Sequence, residues 1–188
     1  ALIFAAIGAK YTGKHGSKEA TVFWTRGSII LNVVIVVFML LTAGQTISAS
    51  MPLILVFAVL TMVKNGMSVT VSTAASSMLA DVVDYEASRS GKYLPGAVAG
   101  VYSFIDKLVS SIGAIIATAC VALVGYTSSM PQPTDPKTMP VLLMGVFLVY
   151  VVPILGWICT LVAMKFTPLS KEKMVEVQKK IAEMKEES

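Results

Sequence analysis

The charged residues of this chain are few and unevenly placed, and they are where chemistry could occur. Asp81, Asp84, Glu86, Arg89 and Lys92 crowd into the run SSMLADVVDYEASRSGKYLPG, residues 76–96, between two long apolar segments. Asp106 and Lys107 follow inside the second of those segments, and Lys64 lies about halfway along the first. Charges at membrane depth are costly and mark substrate or ion pathways, relays or ion pairs. An ammonium there can bond a hydroxyl or hold a carboxylate, and clustered carboxylates and cations can form a latch. No P-loop, dinucleotide-binding glycine pattern, HExxH or GxSxG occurs, and no nucleophile–base pair is assembled. The chain is therefore read as a non-enzyme without catalytic residues, metal ligands or an organic cofactor.

The residues around these charges set up two faces. At helical spacing Thr61, Lys64, Ser68, Ser72 and Ala75 share one small, polar face, with Asn65 beside Lys64, and that face is expected to look inward. Lys64 is either a pathway residue or a structural cation bonded to a neighbouring helix. In the next segment Gly100, Ser103, Lys107, Ser110, Ser111 and Ala114 form a stripe that either lines a pathway or lets helices pack closely. Lys107 lies 11 residues beyond Gly96, roughly 16 Å at the helical rise. Asp106 can neutralise it only partly, because neighbours on a helix point about 100° apart.

Elements of membrane length must carry these faces. Of 188 residues, 55% are hydrophobic and 14% charged, and the mean hydropathy is +0.77. That is a membrane composition. A span needs about 20 apolar residues; segments 21–44, 51–79, 97–125 and 139–165 qualify. Residues 1–9 are too short to cross and read as the end of a transmembrane helix, with no basic n-region or cleavage site of a signal peptide. The chain is thus expected to be the C-terminal part of a larger membrane protein; the alternative is a short chain opening on a half-span.

Between the spans lie the loop 10–20, the uncharged loop around 44–50, the loop 80–96 with the acidic motif, and the loop 126–138. Lys and Arg concentrate in 10–20, in 80–96 and after the last span. By the positive-inside rule those three parts are cytoplasmic and 126–138 is external. Membrane lipid is the expected surrounding of a multi-pass protein in the inner or plasma membrane. The pI of about 9.1 is no nucleic-acid signal, since the basic residues do not cluster with aromatics.

Smaller features are read structurally. Trp24 and Arg26 suit the membrane interface, and the Val- and Ile-rich stretch from Gly27 to Gly44 is expected to face lipid. His15 reads as a solvated loop residue, Cys120 and Cys159 as buried free thiols, and Pro153 as a kink in the last span. Residues 166–188 change character: Met174, Val177, Ile181 and Met184 repeat at helical spacing among Lys and Glu. This is an amphipathic cytoplasmic helix on the membrane surface or on the bundle, or a short coiled-coil seam.

Asp81-x-x-Asp84-Tyr85-Glu86, then Gly91-Lys92, Lys107 and Gly125-Tyr126 resemble the glycoside-pentoside-hexuronide:cation symporters of the major facilitator superfamily, to which the melibiose permease belongs. The resemblance implies an all-α fold: the C-terminal part of a twelve-helix transporter, from the end of helix VIII through helices IX to XII. It implies alternating-access symport of a small sugar with Na+ or H+ as coupling ion, together with the N-terminal half of the same carrier. Asp81, Asp84, Glu86, Arg89 and Lys92 would form a cytoplasmic gate. Lys107, Asp106, Lys64, Asn65, Ser68, Ser72, Ser103, Ser110 and Ser111 would line the substrate and ion pathway. The family's cation-binding aspartates lie on helices outside this chain. Ser68 to Ser76 stand where some sugar-transporting members carry an aromatic and an amide, and Lys64 would suit an anionic substrate such as a hexuronide. Two alternatives remain: a sodium-coupled lysolipid carrier of the same superfamily, and a non-transporting membrane module.

Overall fold

In a computed structural model of the chain, which describes residues 2–42, 50–127, 132 and 138–186, the expected all-α membrane class holds. The helices are α1 (Leu2–His15), α2 (Ser17–Leu41), α3 (Met51–Ser90), α4 (Pro95–Leu123), α5 (Met139–Phe166) and α6 (Lys171–Glu186). Four of them, α2 to α5, are long and apolar enough to cross a membrane. Pro52, Pro95 and Pro140 open α3, α4 and α5. Their missing N–H costs nothing in a first helical turn.

Two stretches expected as loops are largely helical. Over 10–20, α1 runs on to His15 and α2 starts at Ser17, so the break is Gly16 alone, at φ 98°. Only glycine takes that backbone conformation cheaply. Over 80–96, α3 continues to Ser90, and its end is fixed by Gly91 at φ 72°, whose N–H donates to the Ala87 carbonyl at 2.9 Å. The acidic motif therefore rides on a rigid extension. At 40 residues, α3 is about 60 Å long, twice a hydrocarbon core of about 30 Å. The loops expected at 44–50 and 126–138 fall mostly outside the described residues.

Small residues set the packing. A Cβ added to Gly8 of α1 would lie 3.1 Å from the Thr70 Cα of α3, and Gly66 of α3 lies under the Phe4 ring. These contacts make α1 and α3 parallel and let their backbones approach closely, as small residues do in membranes. Antiparallel to them, α2 packs Gly27 against Met67. One face of α2 is as apolar and exposed as expected, with Ile30, Val33, Val37 and Leu40 outward. Its other face buries Thr21, Thr25, Ser28 and Asn32, a polar stripe hidden from the sequence reading by the Val and Ile around it. Ile35 of α2 joins Val146 and Tyr150 of α5 in the apolar core.

Helix α6 lies on the extension of α3, with Val177 and Val83 buried. Of the three expected placements of the tail, the structure has the one on the bundle. Among the described residues, helix α4 packs appreciably only on α3, and none of its own residues is buried. Both cysteines are free, but Cys120 is half-buried and Cys159 exposed, because their helices turn those faces outward.

Candidate functional site

Helix α3 has two small-residue faces, and they do different things. Gly66, Thr70 and Ala74, spaced by four, are buried against the neighbouring helices. The other face leaves Asn65, Ser68 and Ser72 exposed, with Thr61 and Lys64 half-buried. The stripe expected to look inward is thus not the packing face; it is an open polar face within a membrane span. Asn65, Thr61, Phe4 and Met62 line a cleft of about 560 Å³ there.

Lys64 sits on that face, about 20 Å along the helix from Met51. Its Nζ lies 5.1 Å from the centroid of the Tyr150 ring, a cation–π contact. Among the described residues no carboxylate lies within ion-pair distance of it. Tyr150 is only 6% exposed. It stands in a π-helical turn, Phe147–Val151, where the Val152 N–H reaches back to the Phe147 carbonyl. Pro153 accounts for this turn: it has no N–H for Val149, and its ring crowds that carbonyl, so the helix widens just before it. The expected kink is a widened turn, and it positions an aromatic under the cation.

The second set of pathway residues is not brought to the first. Ser103, Asp106, Lys107, Ser110 and Ser111 all lie on α4 and all are exposed. Lys107 Nζ is 4.0 Å from Asp106 Oδ2, the outer limit of an ion pair, with side chains 85% and 52% exposed. Pairs so exposed contribute little. Ser111 turns its hydroxyl back to donate to the Lys107 carbonyl at 2.8 Å.

At one end of the bundle three Lys-bearing segments meet, the three that the positive-inside argument assigns to a single side. Lys18 Nζ donates to the Thr167 carbonyl at 2.6 Å, and Lys171 Nζ to the Lys14 carbonyl at 2.7 Å. The acidic motif is built into this junction. Asp81 accepts a hydrogen bond from the Ser17 hydroxyl at the start of α2, and Asp84 accepts one from Gln178 Nε2 of α6 at 2.7 Å. Asp81 lies beyond the apolar part of α3. Partial burial pushes its carboxyl above the ordinary range; the Ser17 bond opposes this, while Asp84 and Glu19 add to it. Glu86 is half-buried, and Arg89 and Lys92 are exposed. Among the described residues none of these five charges pairs with another.

Ser17, Tyr150 and Gln178 were not foreseen as partners. The amphipathic repeat of α6 signalled a docked helix, but not which polar residue would meet Asp84. His15, read as a solvated loop residue, is half-buried: it stacks on Tyr11 with ring centroids 4.2 Å apart, and its Nδ1 lies 3.2 Å from the Tyr11 carbonyl. Tyr11 also stacks on Phe23 at 4.8 Å and meets Trp24 edge-on at 5.5 Å. This forms an aromatic cluster of the kind found at membrane interfaces. Among the described residues no three His, Cys, Asp or Glu side chains gather to hold a metal.

A family model described as MFS/sugar transport protein matches residues 1–171. Among curated proteins the chain is similar to the "Putative glycoside/cation symporter YagG" of Escherichia coli (strain K12). The two are 44% identical over 62 residues, which is 32% of this chain and 14% of that protein. The chain thus matches only a small part of this relative's length. No solved structure matches the chain.

Proposed function

From the premise that this chain belongs to the MFS/sugar transport protein family, a family of transporters and not of enzymes, we propose that it works in a secondary active carrier. That carrier moves a sugar such as a glycoside, pentoside or hexuronide across the cell membrane, coupled to Na+ or H+, by alternating access. The single observation that carries this reading is the open polar face of α3. Asn65, Ser68 and Ser72 stay uncovered inside a membrane span, beside a mid-span ammonium that has no carboxylate among the described residues. A face bound for lipid would not keep these groups, because unpaired polar groups in hydrocarbon are costly. A face bordering a water-filled path can keep them, since water satisfies them.

In this reading Lys64, Asn65, Ser68 and Ser72 border the substrate, and Lys107 with Asp106, Ser103, Ser110 and Ser111 contributes from α4. Hydroxyls and amides exchange hydrogen bonds with sugar hydroxyls in both directions, and the ammoniums add charge. The N-terminal half of the same carrier is the partner across the path. Asp81, Asp84, Glu86, Arg89 and Lys92 form the cytoplasmic gate, on a rigid arm anchored to α2 through Ser17 and to α6 through Gln178, with the C-terminus on the cytoplasmic side. Rocking of one half against the other makes and breaks their pairs across the halves.

The test is uptake by the full-length carrier in proteoliposomes. A panel of radiolabelled glycosides, pentosides and uronides is offered under imposed sodium or proton gradients. Gradient-driven accumulation of at least one sugar is expected. No accumulation of any by correctly inserted protein overturns the proposal.

A further inference from the structure

We infer that the outer side of α2 carries a cleft for an anionic phospholipid of the leaflet at the Lys-rich end, held as a resident ligand and not as cargo. The inference needs only that α2 spans a membrane, not that the carrier moves a sugar. A cleft of about 580 Å³ opens between α2 and α3, walled by Lys18, Trp24, Arg26, Gly27 and Ile30 of α2 and by Met67 of α3. None of Lys64, Asn65, Ser68 and Ser72 lines it, so it is distinct from the polar face given to the sugar. Its charged and apolar parts are sorted along the helix. Arg26 is the last charge of α2, and from Gly27 to Leu41 the helix carries none. Arg26 also heads the exposed apolar stripe, since positions 26, 30, 33, 37 and 40 share one helical face. Lys18 lies eight residues further out, about 12 Å along the axis.

A cation above an apolar track is the complement of a phosphate above an acyl chain. Among the described residues no carboxylate lies within ion-pair distance of Arg26 or Lys18. The Arg26 side chain is exposed, and a guanidinium at the edge of hydrocarbon can hold a phosphate by two parallel bonds. Lys18 gives one N–H to the Thr167 carbonyl and keeps two more to donate. The acyl chain then runs inward past Ile30 and Met67 and covers apolar surface that a free phosphate would leave wet. Glu19 is the one carboxylate in the wall, so the cleft holds two cations against one anion. A headgroup with a net negative charge balances that difference. A zwitterionic headgroup adds an ammonium, which Lys18 repels as much as Glu19 attracts it. The aromatic cluster of Tyr11, Phe23 and Trp24 sets this part of α2 at the interface, where a headgroup lies.

Trp24 in the cleft wall supplies the probe. The full-length carrier is reconstituted in bilayers of equal phosphatidylglycerol and phosphatidylcholine, with bromine on the acyl chains of one lipid or the other. Bromine quenches tryptophan only in contact, and the share due to Trp24 is the signal lost in Trp24→Phe. Occupancy by phosphatidylglycerol should exceed that by phosphatidylcholine roughly 5-fold. Arg26→Gln should bring the two lipids level, and Arg26→Lys, which keeps the charge, should retain the preference. Lys165→Gln, which removes an exposed cation at the same end but outside the cleft, should change nothing. Equal quenching by both lipids in the unaltered carrier would overturn the inference. So would a preference that survives Arg26→Gln, or one that Lys165→Gln abolishes as fully, since either makes the effect one of diffuse charge. Relief of quenching by inorganic phosphate, beyond that by chloride at equal ionic strength, would assign the cleft to a soluble anion and overturn it too.

Discussion

The contact between Gly8 and Thr70 gives a graded prediction for the α1–α3 seam. A Cβ at Gly8 would lie 3.1 Å from the Thr70 Cα and 3.2 Å from its Cβ and Cγ2. Backbone is on the other side, so no flexible side-chain tip can swing away. Alanine at position 8 gains about 1 kcal/mol of helix propensity over glycine and loses about 1–3 kcal/mol to overpacking. The net is a loss of about 0–2 kcal/mol. Gly8→Val adds two more methyls against the same backbone and recovers less propensity, so it should lose about 3 kcal/mol. Gly13 on the same helix is the control: a Cβ there meets nothing within 4 Å, so Gly13→Ala should gain about 1 kcal/mol. The assay is the melting profile of the detergent-solubilised full-length carrier, followed by the monodisperse fraction left after heating. The expected order of stability is Gly13→Ala, unaltered protein, Gly8→Ala, Gly8→Val. A Gly8→Val protein as stable as the unaltered one would refute close packing of α1 on α3.

Three further outcomes follow from the same geometry. Lys107→Met should abolish coupled uptake while leaving insertion and folding intact, measured as uptake against surface expression; normal uptake would remove Lys107 from the pathway. Gln178→Ala deletes the bond to Asp84, a loss of about 1 kcal/mol, and should speed proteolysis and hydrogen exchange of residues 171–186 while α2 stays protected. Burial holds the Asp81 carboxyl above its unfolded value, so the folded state binds this proton more tightly than the unfolded state does. Stability from this group is then greatest at low pH and falls as pH rises from the ordinary carboxylate range of about 4 through the raised value. Asp81→Asn should flatten that part of the stability–pH profile, and an identical profile would contradict the assignment.

The spans and the charge cluster were legible because they rest on composition, which tertiary structure cannot undo. Twenty apolar residues without charge must sit in lipid or in a core, and Asp81 to Lys92 could not. Which small face of α3 packs was not legible. Gly66, Thr70 and Ala74 and the set Ser68, Ser72 and Ala75 both follow a helical spacing of three or four and are of similar size, and only the facing residues Phe4 and Gly8 select between them. Ser28 and Asn32 were lost among Val and Ile because a stretch-wide average hides a single stripe, though their spacing of four was there to be read. Tyr150 was out of reach for another reason. Pro153 announces a disturbance, but neither the widening into a π-turn nor the helix that would bring Tyr150 beside Lys64 can be read from the residues around it. The corner at Gly16 and the long extension of α3 illustrate the opposite error: polar, glycine-containing stretches were read as loops, where a single positive-φ glycine was enough to turn the chain.

The most direct test of the central claim is the ion current that accompanies the sugar. Full-length carrier in sealed vesicles, at equal ion concentrations on both sides, receives a pulse of each panel sugar while internal sodium and pH are followed by dyes. The account predicts that at least one sugar drives entry of one of the two cations, and that Lys107→Met loses this flux. Sugar entry without movement of either cation would contradict symport.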